Sequence, residues 1–158
     1  MVIWFNVEKA RKYLEEHELV YTFRTKRKQF GYTSAVYTNK VLGRTTIFDV
    51  NVLKVDESHT SDSNNNHRSI LSKYVEHSGF ENIDEWLEEI RKVNFKERIP
   101  VYGMIIKVIR AMRCAQCGMW TDNYCIIEEG PKEENYIEYI WCQIGMTGKP
   151  ICVECYYK

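Results

Sequence analysis

Two cysteine pairs constrain this chain more than any other feature of its sequence. Cys114 and Cys117 in RCAQCGMW are two residues apart, and Cys152 and Cys155 in ICVECYYK repeat that spacing after a gap of 34 residues. A CxxC turn directs two thiolates at one point in space, and two such turns together supply the tetrahedral four-sulfur set that Zn²⁺ favours. The spacing therefore predicts a zinc site made by these four cysteines.

The segment between the two pairs has the pattern of a β-hairpin. NYCIIEE (123–129) and YIEYIWCQI (136–144) are strand-like, and a turn with Gly130 and Pro131 joins them. We therefore expect residues 112–158 to form a β-rich zinc ribbon. A module of about 45 residues is too small to be held by its own core, so metal binding would supply the missing stability.

Other readings of the cysteines remain open. A thioredoxin-like redox pair needs a helix after its CxxC, whereas GMWTDNY after Cys117 has no helical periodicity. An iron–sulfur or other metal site, or disulfides, are the remaining alternatives to structural zinc. Four thiolates would fill the coordination shell and leave no position for water, so a catalytic zinc site is not expected. Two further cysteines lie outside the CxxC turns and are expected to be buried thiols: Cys125 and Cys142.

The four histidines show no HxxxH spacing and are expected to be surface or loop residues, not ligands. They are His17, His59, His67 and His77.

Charge is distributed unevenly along the chain. The formal net charge is zero, yet from Arg113 onward four basic residues face seven acidic ones, so the earlier part is mildly basic. A polyanion would therefore meet the first part of the chain. The start MVIWFNVEKARKYLEEHE lacks the pattern of a signal peptide, and no long apolar run predicts a membrane span. We expect a cytoplasmic, reducing location with no membrane partner.

The order of local patterns predicts an α+β fold. Within residues 81–94, behind a pair resembling a capping box, Asn82 and Glu85, five apolar residues fall at helical spacing: Ile83, Trp86, Leu87, Ile90 and Val93. Irregular connections favour an antiparallel or mixed sheet with helices packed on it. The remaining expectations are strands at 2–5, 19–24, 34–38, 45–55 and 101–110, a helix over 7–17 capped by Asn6, a loop over 56–69, and a helical face of Ile70, Leu71, Tyr74 and Val75.

A basic and aromatic segment follows the second predicted strand. Within RTKRKQFGYTSAVY (24–37), cations that could neutralise phosphates stand beside rings that could stack on exposed bases, a combination typical of RNA binding. A solvated loop that serves solubility is the alternative interpretation. The candidate nucleic-acid-binding residues are Arg24, Lys26, Arg27, Lys28, Phe30, Tyr32 and Lys40.

Several segments of the first 110 residues resemble ASCH-domain proteins of the PUA-like superfamily, particularly short archaeal ones. They are EKARKYLEEHELVYTFRTKRK, TIFDVNVLKV, KYVEHSGFENIDEWLEEIRKVN and IPVYGMIIKVIR, and the most specific residues are Gly79, Phe80, Glu85, Trp86 and Leu87. The resemblance implies a small PUA-like β-barrel with flanking helices over residues 1–111, with a cleft for RNA or a nucleotide-like ligand. It does not extend to residues 112–158.

Some ASCH-type proteins are amidohydrolases that act on acetylated cytidine through a lysine, a threonine three residues later and a glutamate further along. Aligning that motif on this chain retains the threonine as Thr22 but places Leu19 at the lysine position, and leucine can act neither as a base nor as an activator. RNA binding is therefore the favoured function. A small amidohydrolase or nucleoside-modifying enzyme with Thr22, Arg24 and Glu85 is one alternative. A protein-interaction adaptor acting through the acidic ribbon is another.

Overall fold

The computed structural model describes residues 2–26, 29–60, 66–127, 139–141 and 149–158. Its elements, in chain order, are β1 (Val2–Trp4), α1 (Glu8–Glu16), β2 (Leu19–Arg24), β3 (Gly31–Asn39), β4 (Gly43–His59), α2 (Asn66–Leu71), α3 (Ile83–Val93), β5 (Tyr102–Arg110), β6 (Met112–Arg113), β7 (Trp120–Thr121), β8 (Tyr124–Ile127), β9 (Tyr139–Trp141), β10 (Lys149–Cys152) and α4 (Val153–Tyr156), with 3₁₀ turns at Val75–His77 and Phe95–Glu97.

The main sheet is mixed and has five strands in the order β1-β3-β4-β5-β2. β1 runs parallel to β3, whereas the β3–β4, β4–β5 and β5–β2 pairs are antiparallel. Helices pack on this sheet, so the predicted α+β class with a mixed sheet is confirmed.

The predicted β-barrel is not closed, which corrects that expectation. Closure would need a hydrogen-bonded ladder between the edge strands β1 and β2, and the described residues contain none. β1 has only three residues, and it pairs with β3 from Val2↔Ser34 to Trp4↔Val36. The gap beside β1 is crossed instead by a side chain, because Arg24 Nη2 donates to the Trp4 carbonyl oxygen over 2.7 Å.

Two hydrophobic clusters hold the helices against the sheet. One, beneath α1, includes Leu14, Val20 and Val108; the other, beneath α3, includes Trp86 and Ile105. Because successive side chains of a strand point to opposite faces, β5 supplies residues to both clusters. Fully burying one such side chain is worth about 1.5–3 kcal/mol. The middle of this strand is accordingly buried on both faces.

The predicted N-cap is observed at α3 but not at α1. Asn82 Oδ1 accepts a hydrogen bond from Glu85 N over 2.8 Å, so Asn82 caps α3 as predicted. Asn6 does not cap α1: the cap position is Val7, without a side-chain bond. Asn6 Oδ1 instead accepts from Thr38 N over 2.8 Å, which ties the end of β1 to β3.

The predicted loop over 56–69 is shorter than expected. β4 continues to His59 and α2 begins at Asn66, while residues 61–65 lie outside the described part. β4 is a 17-residue strand with a register irregularity between Lys54 and Asp56 in its pairing with β5.

The C-terminal strands form a small sheet of their own in the order β10-β8-β9. β8 and β9 are antiparallel, with Cys125 opposite Trp141, and β10 pairs with the other edge of β8. The expected turn at Gly130 and Pro131 and the thiol of Cys142 lie outside the described residues. Among the described helices, none combines the length and the apolar character needed to cross a bilayer.

Candidate metal centre and candidate ligand cavity

The two CxxC pairs meet, as the sequence predicts. The Sγ atoms of Cys114, Cys117, Cys152 and Cys155 all lie within 4.8 Å of one another, so the four residues could hold a metal ion. Cys114 follows β6, Cys117 lies in the turn before β7, Cys152 ends β10 and Cys155 is in α4. A tetrahedron with metal–sulfur bonds of 2.3 Å has sulfur–sulfur edges of about 3.8 Å. The distance between Cys117 Sγ and Cys152 Sγ is 3.8 Å, which fits that edge.

Backbone amides prepare one of the sulfurs as an anion. Cys114 Sγ accepts hydrogen bonds from Cys117 N and from Cys152 N, each over 3.4 Å. Burial alone would raise the pKa of the Cys114 thiol, but the amide donors, with Cys117 first, outweigh it and lower the pKa to about 6. The two amide donors therefore favour the thiolate form of Cys114.

Cys155 is favoured as a neutral thiol when no metal is bound. Hydrogen bonding of its thiol to Cys152, together with burial, raises the pKa of Cys155 to about 12. A metal ligand must be the thiolate, so a bound cation would have to displace the Cys155 proton. The surroundings of the cluster thus favour the thiolate at Cys114 and the neutral thiol at Cys155.

The cysteine module, residues 112–158, is docked on the end of the main sheet by polar contacts. Ala111 N donates to Asp49 O over 2.9 Å, and Asn51 Nδ2 donates to Asp122 Oδ2 over 3.0 Å. Trp120 on β7 lies nearly parallel to Tyr32 on β3, with ring centroids 6.3 Å apart. β3 and β4 therefore contact the module that carries the sulfurs.

A cavity of about 330 Å³ opens beside the two unpaired sheet edges. Its walls come from β1, β2, the start of α1 and one side of α3, so it lies where the two edge strands fail to pair. The volume lies within the range of roughly 300–1,000 Å³ typical of small-molecule sites. Its principal lining side chains are Trp4, Tyr21, Thr22, Phe23, Arg24, Phe80, Trp86, Glu89, Val93 and Asn94.

The polar groups of the cavity are organised around Arg24. Thr22, only 6% exposed, accepts a hydrogen bond at Oγ1 from Arg24 Nε over 3.3 Å. The guanidinium carbon of Arg24 is 5.2 Å from the Phe5 ring centroid, and Nη2 bonds the Trp4 carbonyl. The guanidinium is thus held along the wall of the cavity by contacts that include Thr22, Trp4 and Phe5.

Aromatic rings make up much of the opposite wall. Phe80 and Trp86 are nearly parallel, with an angle of 13° between their planes and 6.5 Å between their centroids. These are two of the residues that carry the resemblance to ASCH domains, and both line the cavity. Flat apolar walls with a few convergent polar groups are the usual composition of a site for a planar ligand.

The predicted catalytic glutamate lies elsewhere. Glu85 forms an ion pair with Lys9 of α1 and is not among the described residues that line the cavity. Glu89, one helical turn further along α3, lines it instead and is half-buried. The signal that could have identified it is the i, i+4 spacing, which places Glu85 and Glu89 on the same side of the helix.

The predicted nucleic-acid-binding residues are only partly brought together. Lys26, Phe30 and Tyr32 are exposed near the start of β3. Lys40 is exposed at the opposite end of β3, in the turn to β4, so it is not part of that group. The two remaining candidates, Arg27 and Lys28, lie outside the described residues.

One histidine departs from the expected surface position. His67 is 2% exposed. Its Nε2 lies 2.6 Å from the Pro100 carbonyl oxygen and therefore donates, which leaves Nδ1 to accept from the Ser58 hydroxyl. Burial lowers the pKa of His67. The ring joins β4, α2 and the segment before β5, which is a structural role that a lone histidine in a polar stretch does not reveal.

Comparison of the chain with protein-family models, with curated proteins and with solved structures gave no match.

Proposed function

We propose that the protein binds RNA, and that an unstacked nucleotide enters the cavity beside β1 and β2. The observation that carries this proposal is the position of the basic segment. Arg24 and Thr25 line the cavity, and the exposed Lys26 follows directly. Phosphates held by the basic segment would therefore stand at the entrance to a site whose walls suit a base.

The chemistry of the cavity supports a nucleobase as the occupant. Proteins hold splayed-out RNA bases by stacking on aromatic rings and by hydrogen bonds to base edges. The half-buried Phe80 offers ring surface and lies nearly parallel to the buried Trp86, and Glu89 and Asn94 offer polar atoms. The resemblance to PUA-like ASCH domains, which implies a cleft for RNA or a nucleotide-like ligand, agrees with this proposal.

The basic segment gives the first test. We expect the variant Lys26→Glu/Arg27→Glu/Lys28→Glu to lose binding to a fluorescently labelled single-stranded RNA, measured by anisotropy, because cations on phosphates supply most of the affinity. Arg24 is left unchanged since it contacts Trp4. Wild-type binding should also fall steeply as salt rises.

A variant with the same change in net charge provides the control. Lys73→Glu/Lys92→Glu/Lys158→Glu reverses three exposed lysines outside the segment and should bind RNA nearly as the wild type does. Equal affinity of the two triple variants would contradict the proposal.

The cavity gives the second test. Val93 lines the cavity and is 60% exposed, so a larger side chain there would fill the entrance with little effect on the core. We expect Val93→Trp to weaken RNA binding, and Val101→Trp, which enlarges an exposed valine outside the cavity, to leave it unchanged. Unaltered binding by Val93→Trp would exclude the cavity as the base site.

We also propose that the metal is a structural Zn²⁺. The donors are four cysteine sulfurs, which is the closed, tetrahedral set that zinc prefers. Native mass spectrometry with metal analysis would test this: the expected result is one zinc per chain. Iron with sulfide, or two disulfides and no metal, would contradict it.

A hydrolase of modified nucleosides is the second candidate, because Thr22 and Glu89 line the same cavity as Arg24. A nucleophile activated by a base needs both groups within hydrogen-bond reach of the reacting atoms. Turnover of acetylated cytidine that is lost in Glu89→Gln would favour this candidate over binding alone. No turnover across a panel of acetylated nucleosides would remove it.

A further inference from the structure

We propose that Tyr32 of the main sheet and Trp120 of the cysteine module form a stacking surface for unpaired bases of single-stranded RNA, positioned by the metal centre. The proposal rests on the proposed function and extends it. It gives the cysteine module a part in RNA recognition, in which the module would bind consecutive unpaired bases.

The two rings are arranged as a surface and not as a buried pair. Their planes differ by 23°. Tyr32 is 46% exposed and Trp120 is 38% exposed, so both rings retain area for a further planar group. Phe30, also exposed, precedes Tyr32 by two residues. Each base has an aromatic face, so near-parallel exposed rings accept unpaired bases with little dependence on sequence.

A cation is built into the same surface. The guanidinium carbon of Arg113 is 5.6 Å from the Trp120 ring centroid, and Arg113 Nε donates to Gly118 O over 3.0 Å. Arg113 is exposed. An arginine beside an aromatic face can contact the phosphate that links two stacked bases while it remains over the ring.

The cysteine turn determines where Trp120 lies. Cys114 N donates to Met119 O over 2.9 Å, and Gly118 N donates to Cys114 O over 2.9 Å, so the residues before Trp120 fold around the first sulfur. Arg113 and Trp120 are directly paired across β6 and β7. A cation that joins Cys114 and Cys117 to the second sulfur pair would therefore also fix the ring.

Continuity with the basic segment favours RNA over a protein partner. Residues 25–30 connect β2, which lines the cavity, to β3, which carries Tyr32. The exposed Lys26 follows the cavity-lining Thr25 directly, and the exposed ring of Phe30 precedes Tyr32 by two residues, so the described ends of this connection offer a phosphate contact next to the cavity and a ring next to the stacking surface. A protein surface would be expected to bury these rings without any requirement for the cations of the segment.

Salt-dependent binding separates this surface from the basic segment. The probe is a labelled twelve-nucleotide oligouridylate, measured by anisotropy over a series of salt concentrations. We expect Trp120→Ala and Tyr32→Ala each to weaken binding by about tenfold while the slope of log affinity against log salt stays that of the wild type. The Lys26→Glu/Arg27→Glu/Lys28→Glu variant should instead reduce the slope.

Conservative and matched variants distinguish a loss of base stacking from an effect on folding. Trp120→Phe and Tyr32→Phe keep a ring and should retain most of the affinity. Tyr157→Ala removes an exposed ring of the same module whose described ring contact is with Tyr156, and should have no effect. Metal analysis of Trp120→Ala should find the metal content of the wild type.

Three results would overturn the proposal. If Trp120→Ala binds as tightly as the wild type while the basic-segment variant does not bind, the stacking surface is wrong and the proposed function stands. If Trp120→Phe loses as much affinity as Trp120→Ala, stacking is not the cause. If the wild type does not bind the oligouridylate or any other single-stranded RNA, the proposed function fails together with the stacking surface.

Discussion

Arg24 on β2 donates a hydrogen bond to the Trp4 carbonyl oxygen on β1 over 2.7 Å, and this bond joins the two edges of an open sheet. The same side chain bonds Thr22 and lies over the Phe5 ring. A residue that the sequence marks as a candidate phosphate ligand is therefore also part of the framework of the cavity.

Replacement of Arg24 should consequently destabilise the fold. We expect Arg24→Met to lower the free energy of unfolding by about 1.5–3 kcal/mol, the range for a hydrogen bond made by a charged group. Urea denaturation would measure the change. Lys26→Met, which removes an exposed cation two residues away, should change stability by less than about 0.5 kcal/mol. Equal effects of the two substitutions would show that the bond to Trp4 contributes nothing.

His67 should make the protein sensitive to acid. Burial holds the pKa of His67 in the folded state below the unfolded value of about 6.5. The folded state therefore binds the proton less well than the unfolded state. The contribution of neutral His67 to the free energy of unfolding is complete above the pKa of the unfolded state, and it is lost as pH falls through the pKa of the folded state.

Unfolding measured in urea at neutral and at mildly acidic pH checks this. His67→Gln keeps a donor for the Pro100 carbonyl but cannot be protonated, so its stability should fall less on acidification than that of the wild type. His59→Gln, at an exposed histidine, should behave as the wild type. If the wild type and the His67→Gln variant lose the same free energy of unfolding on acidification, groups other than His67 control the acid response.

Metal affinity should rise with pH. Despite burial, amide hydrogen bonds lower the pKa of Cys114 to about 6 and favour its thiolate, whereas hydrogen bonding to Cys152 raises the pKa of Cys155, so Cys155 must lose its proton to the solvent when a cation binds. Titration of the metal-free protein in weak buffer should therefore release protons, and competition with a chelator should show tighter binding at higher pH.

Cys152→Ser should lose the metal, because it removes one of the four sulfurs, while Cys125→Ala retains all four and should keep it. A Cys152→Ser variant that holds the metal as tightly as the wild type would contradict the four-sulfur site.

Gly79 should resist substitution. Its φ is +90°, and a Cβ at this position would lie 2.7 Å from the Lys9 carbonyl oxygen of α1. We expect Gly79→Ala to lower the free energy of unfolding by about 1–3 kcal/mol, from backbone strain together with displacement of α1. Gly31 has φ +114° with open space around it, so Gly31→Ala measures strain alone. The denaturation midpoint of Gly79→Ala should be the lower of the two; the opposite order would show that the contact with α1 is tolerant.

Local patterns in the sequence predict local structure well. The strand expected at 19–24 is observed as Leu19–Arg24, and Asn82 caps α3, because periodicity and capping depend on neighbouring residues. The four-cysteine cluster is predictable for a different reason: metal-ligand spacing is a strong constraint across any distance in sequence.

Features that depend on distant parts of the chain are not predictable in this way. Asn6 has the residue type of a helix cap, yet it bonds Thr38 on a strand 32 residues away. Glu85 and Glu89 are one helical turn apart on α3, yet Glu85 pairs with Lys9 of α1 and Glu89 lines the cavity, a difference that depends on residues distant in sequence. The open edge of the sheet is a further case, since no local pattern encodes the failure of two strands to pair.

The length of β4 has a consequence for how the molecule loses its structure. This strand carries Val52 in the cluster beneath α1, Asn51 at the contact with Asp122, and Ser58 at His67. Because one element is common to all three regions, opening any of them should disturb the others, and melting should be a single cooperative event. The backbone amides of β4 and its neighbour β5 should then be the slowest in the chain to exchange with deuterium, at a rate that reports global unfolding.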